Sequence, residues 1–492
     1  MVWLVLEIII MPKCKLYLKD EVNCKFEGLD LSDRRKLSNK FKHDIPHARF
    51  MPAVRLGRWD GKVSFFQLGG STYINLLSDI LEDLAHYKID LIDYRKSFDF
   101  QFETVTEVSY SEYKWPKNHT HEGQSIILRD YQVEVINNFL QNPQSIQEVA
   151  TGAGKTLVTA ILSHKCEPYG RTIVIVPNKS LVTQTEEDYV NLGLDVGVFY
   201  GDRKEFGRTH TICTWQSLNI LMKRTRNAQA DITFEDFIEG VCCVIVDEVH
   251  QSKADVLKQL LTQQLAHIPL RWGLTGTIPK AQFEWLSLQV SIGEVVNRVA
   301  AVDLQEKGIL ANCHVNIVQL QDYGEYTSYQ SELKYLITNE DRISYIGEFL
   351  NDVKDSGNTL ILVDRISAGK AIQLKLKNSV FISGATKAEE RKEHYDEVRT
   401  AEAKIIIATY GVASIGINIP RIFNLVLLEP GKSFVRVIQS IGRGIRRAED
   451  KDFVQIWDIT STCKFAKRHL TKRKSFYREA EYPFTVDKIN WQ

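Results

Sequence analysis

Five short apolar runs, at residues 173–176, 241–246, 360–363, 405–408 and 425–428, recur along this chain with longer helix-like stretches between them. None alternates with polar residues. Side chains on a strand point to opposite faces in turn, so a strand wetted on one side must alternate. An unbroken apolar run suits a parallel strand covered on both faces. Strand and helix in regular succession specify an α/β architecture. Two parallel sheets fit the spacing better than one, with a break near residues 295–340. The tyrosine-rich piece between Tyr323 and Tyr335 falls in that break and reads as a helix packed between two lobes, with no chemistry of its own.

The first hundred residues follow another pattern. Residues 11–110 alternate short strand-like and helical segments, such as 62–66 and 74–84, and residues 115–123 have linker composition. The chain is therefore expected to comprise a small α/β domain at 1–115, a first lobe at 116–296 and a second at 297–492 ending in a basic tail. At 492 residues there is room for each to build a core.

An apolar fraction of 44% with 25% charged residues is ordinary for a soluble globular protein. Net charge is zero, so a surface for a polyanion must be local. Residues 11–62 hold 13 Lys and Arg against 7 Asp and Glu. Residues 463–478 hold Lys464, Lys467, Arg468, Lys472, Arg473, Lys474 and Arg478 with no acid. Eight cysteines show no Cys-x-x-Cys pair; Cys242 and Cys243 read as buried small hydrophobes, a pattern that suits a reducing cytosol. His119 and His121 are too isolated for a metal site. Residues 1–10 are almost wholly apolar but too short to span a bilayer and lack a basic leader. Translation is expected to begin at Met11, the alternative being an extra edge strand.

The chemistry is concentrated in three places. Gly152 and Gly154 lack a Cβ, so the backbone around them can curl and aim its N–H groups at phosphate oxygens. The apolar run 157–162 reads as a helix whose positive end faces the same anion. Lys155 would then reach the β- and γ-phosphates and the Thr156 hydroxyl would ligate Mg²⁺. The full pattern asks for Gly or Ala where Val149 stands. Asp247 follows directly on the run 241–246, where a Mg²⁺ ligand belongs. Glu248 can polarise an attacking water as general base; the bland alternative is an acidic turn. Arg443 and Arg446, three apart, share a helical face, and a positioned arginine is worth about 10³–10⁵ in rate of phosphoryl transfer. Their bland alternative is a basic surface helix.

Residues 150–156, the run Asp247-Glu248-Val249-His250, Leu274-Thr275-Gly276-Thr277 and residues 439–446 resemble motifs I, II, III and VI of the superfamily 2 helicases, in order, within residues 125–460. The resemblance implies two tandem RecA-like lobes with ATP and Mg²⁺ as cofactors. It places Thr151, Gly152, Ala153, Gly154, Lys155 and Thr156 around the phosphates, with Thr156 and Asp247 on the metal. It casts Glu248, Gln439, Arg443 and Arg446 as catalytic, and His250, Thr275 and Thr277 as the coupling between nucleotide and nucleic acid. Residues 128–132 resemble the glutamine motif, which puts Arg129 and Gln132 beside adenine. Residues 408–420 resemble motif V, which adds Gly416 to the nucleotide site. Pro177, Lys179, Thr214, Trp215, Ser383, Gly384 and Thr409 would hold the nucleic-acid backbone, without sequence preference. Asn418 stands where many relatives carry an aspartate. The Asp-Glu-Val-His box and the Thr-Gly-Thr motif point to the DNA-translocating branch.

A basic amino-terminal domain carrying Arg55-Leu56-Gly57-Arg58-Trp59-Asp60-Gly61-Lys62, ahead of a compact core, is similar to the layout of the phage UvsW-type branch-migration helicases. That implies branched DNA (forks, four-way junctions, R-loops) as substrate in replication, recombination and repair, and a monomer in the cytoplasm, the host's if the gene is phage-borne. Arg58 and Trp59 would meet DNA by phosphate contact and stacking. The competing reading puts Trp59 in the core and makes Asp60-Gly61 a hairpin turn. Rival functions are an RNA or RNA–DNA hybrid helicase and the motor subunit of a restriction or repair complex. A third is a silent scaffold, against which the intact Lys155, Asp247, Glu248, Arg443 and Arg446 argue.

Overall fold

The computed structural model describes residues 11–45, 48–115, 122–249, 254–279, 281–413, 419, 421–431, 441 and 450–492. These divide between two compact units, one of Met1–Glu148 and Thr156–Arg298, the other of Val149–Lys155 and Val299–Gln492. All five apolar runs are strands, three of them in one sheet of the second unit and two in a sheet of the first.

The first unit opens with β1 (Lys13–Leu18), β2 (Asn23–Glu27), β3 (Lys42–Asp44), β4 (Lys62–Ser64), β5 (Ser71–Tyr73) and β6 (Lys88–Asp93). Their sheet runs β5-β2-β1-β6, and β3 pairs with β4 alone. In β1, Cys14, Leu16 and Leu18 are buried while Lys13 and Lys15 are exposed, the alternation of a sheet with one covered face. That face closes on Leu37 of the helix Leu31–Lys40, Phe65, Phe66 and Ile80, and also on Phe283, Leu286 and Val290 of the helix Gln282–Ser291. The amino-terminal sheet thus shares its core with the covering helix of the next sheet.

That next sheet contains β7 (Gln144–Val149), β8 (Arg171–Val176), β9 (Val196–Tyr200), β10 (Arg203–Lys204), β11 (His210–Thr214), β12 (Val241–Asp247), β13 (Leu270–Thr275) and β14 (Glu294–Val299), in the order β10-β9-β11-β8-β12-β13-β7-β14. From β9 to β7 it is parallel, and every residue of β12 is buried. The buried Arg271 in β13 donates to the carbonyls of Leu261, Leu265 and Ser291 at 2.6, 2.6 and 2.7 Å. Those carbonyls sit at helix ends, where they lack intrahelical donors.

The second unit holds β15 (Asn312–Leu320), β16 (Thr359–Val363), β17 (Ser379–Ile382), β18 (Ile405–Thr409), β19 (Asn424–Leu428), β20 (Phe453–Ser461) and β21 (Phe484–Ile489), wholly parallel, in the order β17-β18-β16-β19-β20-β15-β21. Two buried arginines tie it together. Arg342 Nε donates to Asp322 Oδ2 at 3.1 Å and its Nη2 donates to Glu429 Oε1. Arg473 forms a fork on both Asp458 oxygens at 2.8 and 2.9 Å.

Two readings are sharpened here. The piece from Tyr323 to Tyr335 belongs to the second unit, becomes helical only at Tyr329, and sends the Tyr335 hydroxyl to Asp322 Oδ1 at 3.4 Å. The basic stretch 463–478 is a helix with one side in the core. Arg473 is among its buried residues, because Asp458 neutralises it. All eight cysteines are free and buried, as the sequence implies. No helix among the described residues is long and apolar enough to cross a membrane.

Candidate active site

The phosphate loop follows β7 directly. Gly152 and Gly154 have φ of +90° and +80°, left-handed values that glycine adopts without steric cost. The helix Lys155–Cys166 then begins, offering its first-turn N–H groups to an anion. Lys155 is buried and its Nζ donates to the carbonyl of Val149 at 3.3 Å. This accounts for the departure at position 149. The loop uses the carbonyl of Val149, while the side chain, 2% exposed, belongs to the sheet core.

The parallel register sets the second element. Asp247 pairs with Leu274, Leu274 with Gln147, and Thr275 with Glu148. Asp247 therefore lies level with the end of β7, two strand spacings or about 10 Å across the sheet. Glu248 has φ of +52°, uncommon for a residue with a side chain. This left-handed turn breaks the strand alternation that would send consecutive carboxylates to opposite faces. The Glu248 N–H donates to Asp247 Oδ1 at 2.9 Å, and both residues are under a tenth exposed. A hydroxyl at Thr156 and a carboxylate at Asp247 are the oxygen donors a hard divalent cation takes. Among the described residues no cluster of three or more His, Cys, Asp or Glu could hold a metal. That donor set suits a cation completed by substrate phosphates and water.

Two of the residues expected to couple nucleotide to nucleic acid, Thr275 and Thr277, lie at and just after the end of β13. The Thr275 hydroxyl donates to the Thr277 carbonyl at 2.7 Å and accepts from the Thr277 N–H at 3.2 Å, closing a tight turn after β13. Sequence reasoning passed over Glu148. One of its oxygens accepts from the Ile278 N–H at 3.3 Å and the other lies 3.3 Å from Arg298 Nε. A charge in a buried strand beside the loop was the signal available. Gln132 and Arg129 play a local part, in which Gln132 Oε1 accepts from the Arg129 N–H at 3.0 Å and caps the helix Asp130–Gln141. His250, Gly416, Gln439, Arg443 and Arg446 lie outside the described residues.

The segments expected to hold nucleic acid follow the carboxyl ends of neighbouring strands. β11 lies beside β8, with Thr214 level with Val176, and Gln216 Nε2 donates to the Pro177 carbonyl at 3.2 Å. Lys179 Nζ sits 5.4 Å over the Tyr200 ring. Thr214 is buried and caps the helix Trp215–Arg226, and Trp215 packs on the core of this unit. In the second unit Ser383 and Thr409 follow Ile382 and Ala408, a register pair, so they share one sheet edge; Gly384 accepts from Arg391 Nη2 at 3.2 Å. In the amino-terminal sheet Arg58 is exposed and Trp59 half-buried, its indole N–H donating to Lys62 O at 2.9 Å. The tight-hairpin reading of Asp60-Gly61 fails, because residues 45–61 connect β3 to β4. Instead Lys42 pairs with Asp60 at 2.6 Å and holds its carboxyl below the usual range.

Residues 125–280 match the family model "type III restriction enzyme, res subunit", and residues 341–448 match "helicase conserved C-terminal domain". Over 466 residues the chain is 24% identical to the ATP-dependent DNA helicase UvsW of Enterobacteria phage T4, across 90% of this chain and 89% of that protein. It is 24% identical over 372 residues to the DNA 3'-5' helicase XPB of Mycobacterium tuberculosis, across 73% of this chain and 65% of that one. The fold is similar to the ATP-dependent Type ISP restriction-modification enzyme LlaBIII bound to DNA, with a TM-score of 0.55 at 14% identity, covering 84% of this chain and 34% of that one.

Proposed function

Starting from a chain that belongs to the superfamily 2 helicases and carries ATP-dependent helicase domains, we propose that it is a motor on branched DNA, remodelling forks, four-way junctions and R-loops. The observation that carries this reading is the union of a phosphate loop, a buried Asp247–Glu248 turn level with it, and an extra amino-terminal sheet. The likeness to a phage DNA helicase extends over nine-tenths of the chain and so beyond the two helicase domains.

In this reading residues 1–115 recognise the substrate, 116–296 hold the nucleotide and 297–492 supply the second lobe. Lys155 and the loop N–H groups bind the phosphates, and Arg129 and Gln132 flank the base. Thr156 and Asp247 hold Mg²⁺, which when bound neutralises charge on the β- and γ-phosphates. Glu248 takes the proton of the attacking water, and Arg443 and Arg446 stabilise the charge that builds on the transferring group. Lys179, Ser383 and Thr409 contact backbone phosphates, so binding is independent of sequence and weakens steeply with salt. Arg58 and the half-exposed Trp59 act beside the exposed Phe50 and Leu56, on a surface rich in Arg and Lys. The protein acts as a cytoplasmic monomer.

ATP turnover is expected to rise more with forked and four-way DNA than with single-stranded DNA or RNA, measured as phosphate release at fixed salt. Strongest stimulation by single-stranded RNA would overturn the DNA reading. Arg446→Ala is expected to lose turnover while ATP affinity stays near normal. A loss of affinity alone would move that residue from catalysis to ground-state binding.

A further inference from the structure

The amino-terminal sheet is attached to the first helicase sheet far more firmly than a tethered recognition module needs. Its connection is strapped down. Phe98, Phe100 and Phe102 stack in a ladder with centroids 5.6 and 5.8 Å apart, and the last two meet the edge of Tyr169 at 5.2 and 5.3 Å. Asn137 then makes a double hydrogen bond to the backbone of Val105, both arms 2.8 Å.

The sheet itself docks on the chain segment that leaves the Asp247–Glu248 turn. The Glu21 N–H donates to the Ala266 carbonyl at 3.0 Å and Asn23 Nδ2 to the Thr262 carbonyl at 2.8 Å. Thr262 belongs to a π-helical turn, Leu260–Gln264, at the end of the helix Ala254–Gln259. Such widened turns are often found at functional sites.

At the centre of this contact stands one cation. Lys258, on that helix, places its ammonium 3.9 Å from the ring centroid of Phe65, 5.3 Å from Tyr73 and 6.0 Å from Phe283. Phe65 and Tyr73 come from the amino-terminal sheet region and Phe283 from the helix that covers the helicase sheet. Among the described residues the ammonium forms no salt bridge. The negative faces of three rings hold it instead, and they can do so only with both partners present. Burial pushes this ammonium down to about 8.

We propose that Lys258 is a specificity-determining positioning residue: by latching the amino-terminal sheet to the helicase sheet, it presents branched DNA to the motor in a fixed register. This rests on the substrate reading above. Added to the shared apolar core and the Glu21 and Asn23 hydrogen bonds, the latch fixes the register of the recognition sheet on the nucleotide-bearing sheet, so a branch gripped by the first is moved by the second. Without it the motor keeps its own DNA contacts and its ATP site.

The test uses the full chain with Lys258→Met and Lys258→Arg. Met keeps the length and loses the charge; Arg keeps a cation that stacks on aromatic rings and stays charged. ATP turnover is measured with single-stranded and with forked DNA. In Lys258→Met the single-strand rate is expected to hold while the fork-to-single-strand ratio falls by about fivefold or more; Lys258→Arg restores it. In parallel, spin labels on Leu68→Cys and Val190→Cys report the distance between the two sheets. Both positions are exposed, and all eight native cysteines are buried. The distance distribution is expected to stay narrow in the unmodified chain and to broaden in Lys258→Met. A narrow distribution in Lys258→Met, or an unchanged ratio alongside a fork preference lost in Arg58→Ala, overturns the latch. If the unmodified chain shows no fork preference while Lys258→Met broadens the distribution, the latch stands and the substrate reading falls.

Discussion

Replacing Glu248 with glutamine is expected to cut DNA-stimulated ATP turnover by about 10²–10⁴-fold while leaving ATP and DNA bound. The amide preserves the size of the side chain and its ability to fill a site only 5% exposed, but cannot accept the proton of the attacking water. The left-handed backbone at φ +52° is retained, so the turn that follows Asp247 should survive. Lys155→Ala should abolish turnover by a different route, by removing the charge at the phosphates, and should weaken ATP binding as well. Phosphate release with and without DNA, together with nucleotide and DNA affinity at matched salt, separates the two. Full turnover in Glu248→Gln would remove Glu248 from the chemistry and leave an acidic turn in its place.

Replacing Arg342 with methionine is expected to destabilise the protein by about 3–5 kcal/mol, the usual cost of removing one partner from a buried ion pair. The guanidinium is fully buried and serves two carboxylates, Asp322 and Glu429, besides the Leu336 carbonyl at 2.9 Å. Methionine fills the space but removes the cation that hydrogen-bonds both acids. The direction with pH follows. Burial raises the Glu429 carboxyl to about 6, with Arg342 opposing the rise. A carboxyl raised in the folded state destabilises the fold at high pH, and that penalty is relieved as pH falls and the group protonates. Without Arg342 the rise is larger, so the deficit should be greatest above neutrality and shrink in acid. Urea unfolding on either side of neutrality measures it. An equal deficit at both would assign the cost to packing, and neutralising Asp322 and Glu429 in the same variant should recover much of the loss.

How much of this was legible before any coordinates depended on how local the signal was. The five apolar runs were readable because burial on both faces leaves no polar alternation to disguise them. β15 alternates polar Asn312, His314 and Asn316 with apolar residues, and β20 is interrupted by Gln455 and Asp458, so neither gave such a run; β15 lies inside the stretch expected to be a break. Gly152, Gly154 and Lys155 could be named from type and spacing, since phosphate binding by backbone is a local act. Trp215 could not be placed the same way. An aromatic residue after a strand reads equally as a stacking platform or as core, and here it packs on the core of its unit. Arg473 misled for the same reason. A basic run looks like a solvated face until a distant carboxylate, Asp458, takes one of its members inside.

The sequence by itself determined the α/β class, the two large sheets, and the identity and order of the residues proposed to hold phosphate and metal. Each of these follows from spacing within a few residues or from periodic burial. The tertiary structure alone decided that Asp247 stands level with β7, because that depends on β13 coming between them in the sheet. It alone decided that Glu148 bridges Ile278 and Arg298, and that Lys258 is caged by Phe65, Tyr73 and Phe283. Most of those pairings join residues more than a hundred positions apart, and no local propensity records a contact that exists only once the chain has closed.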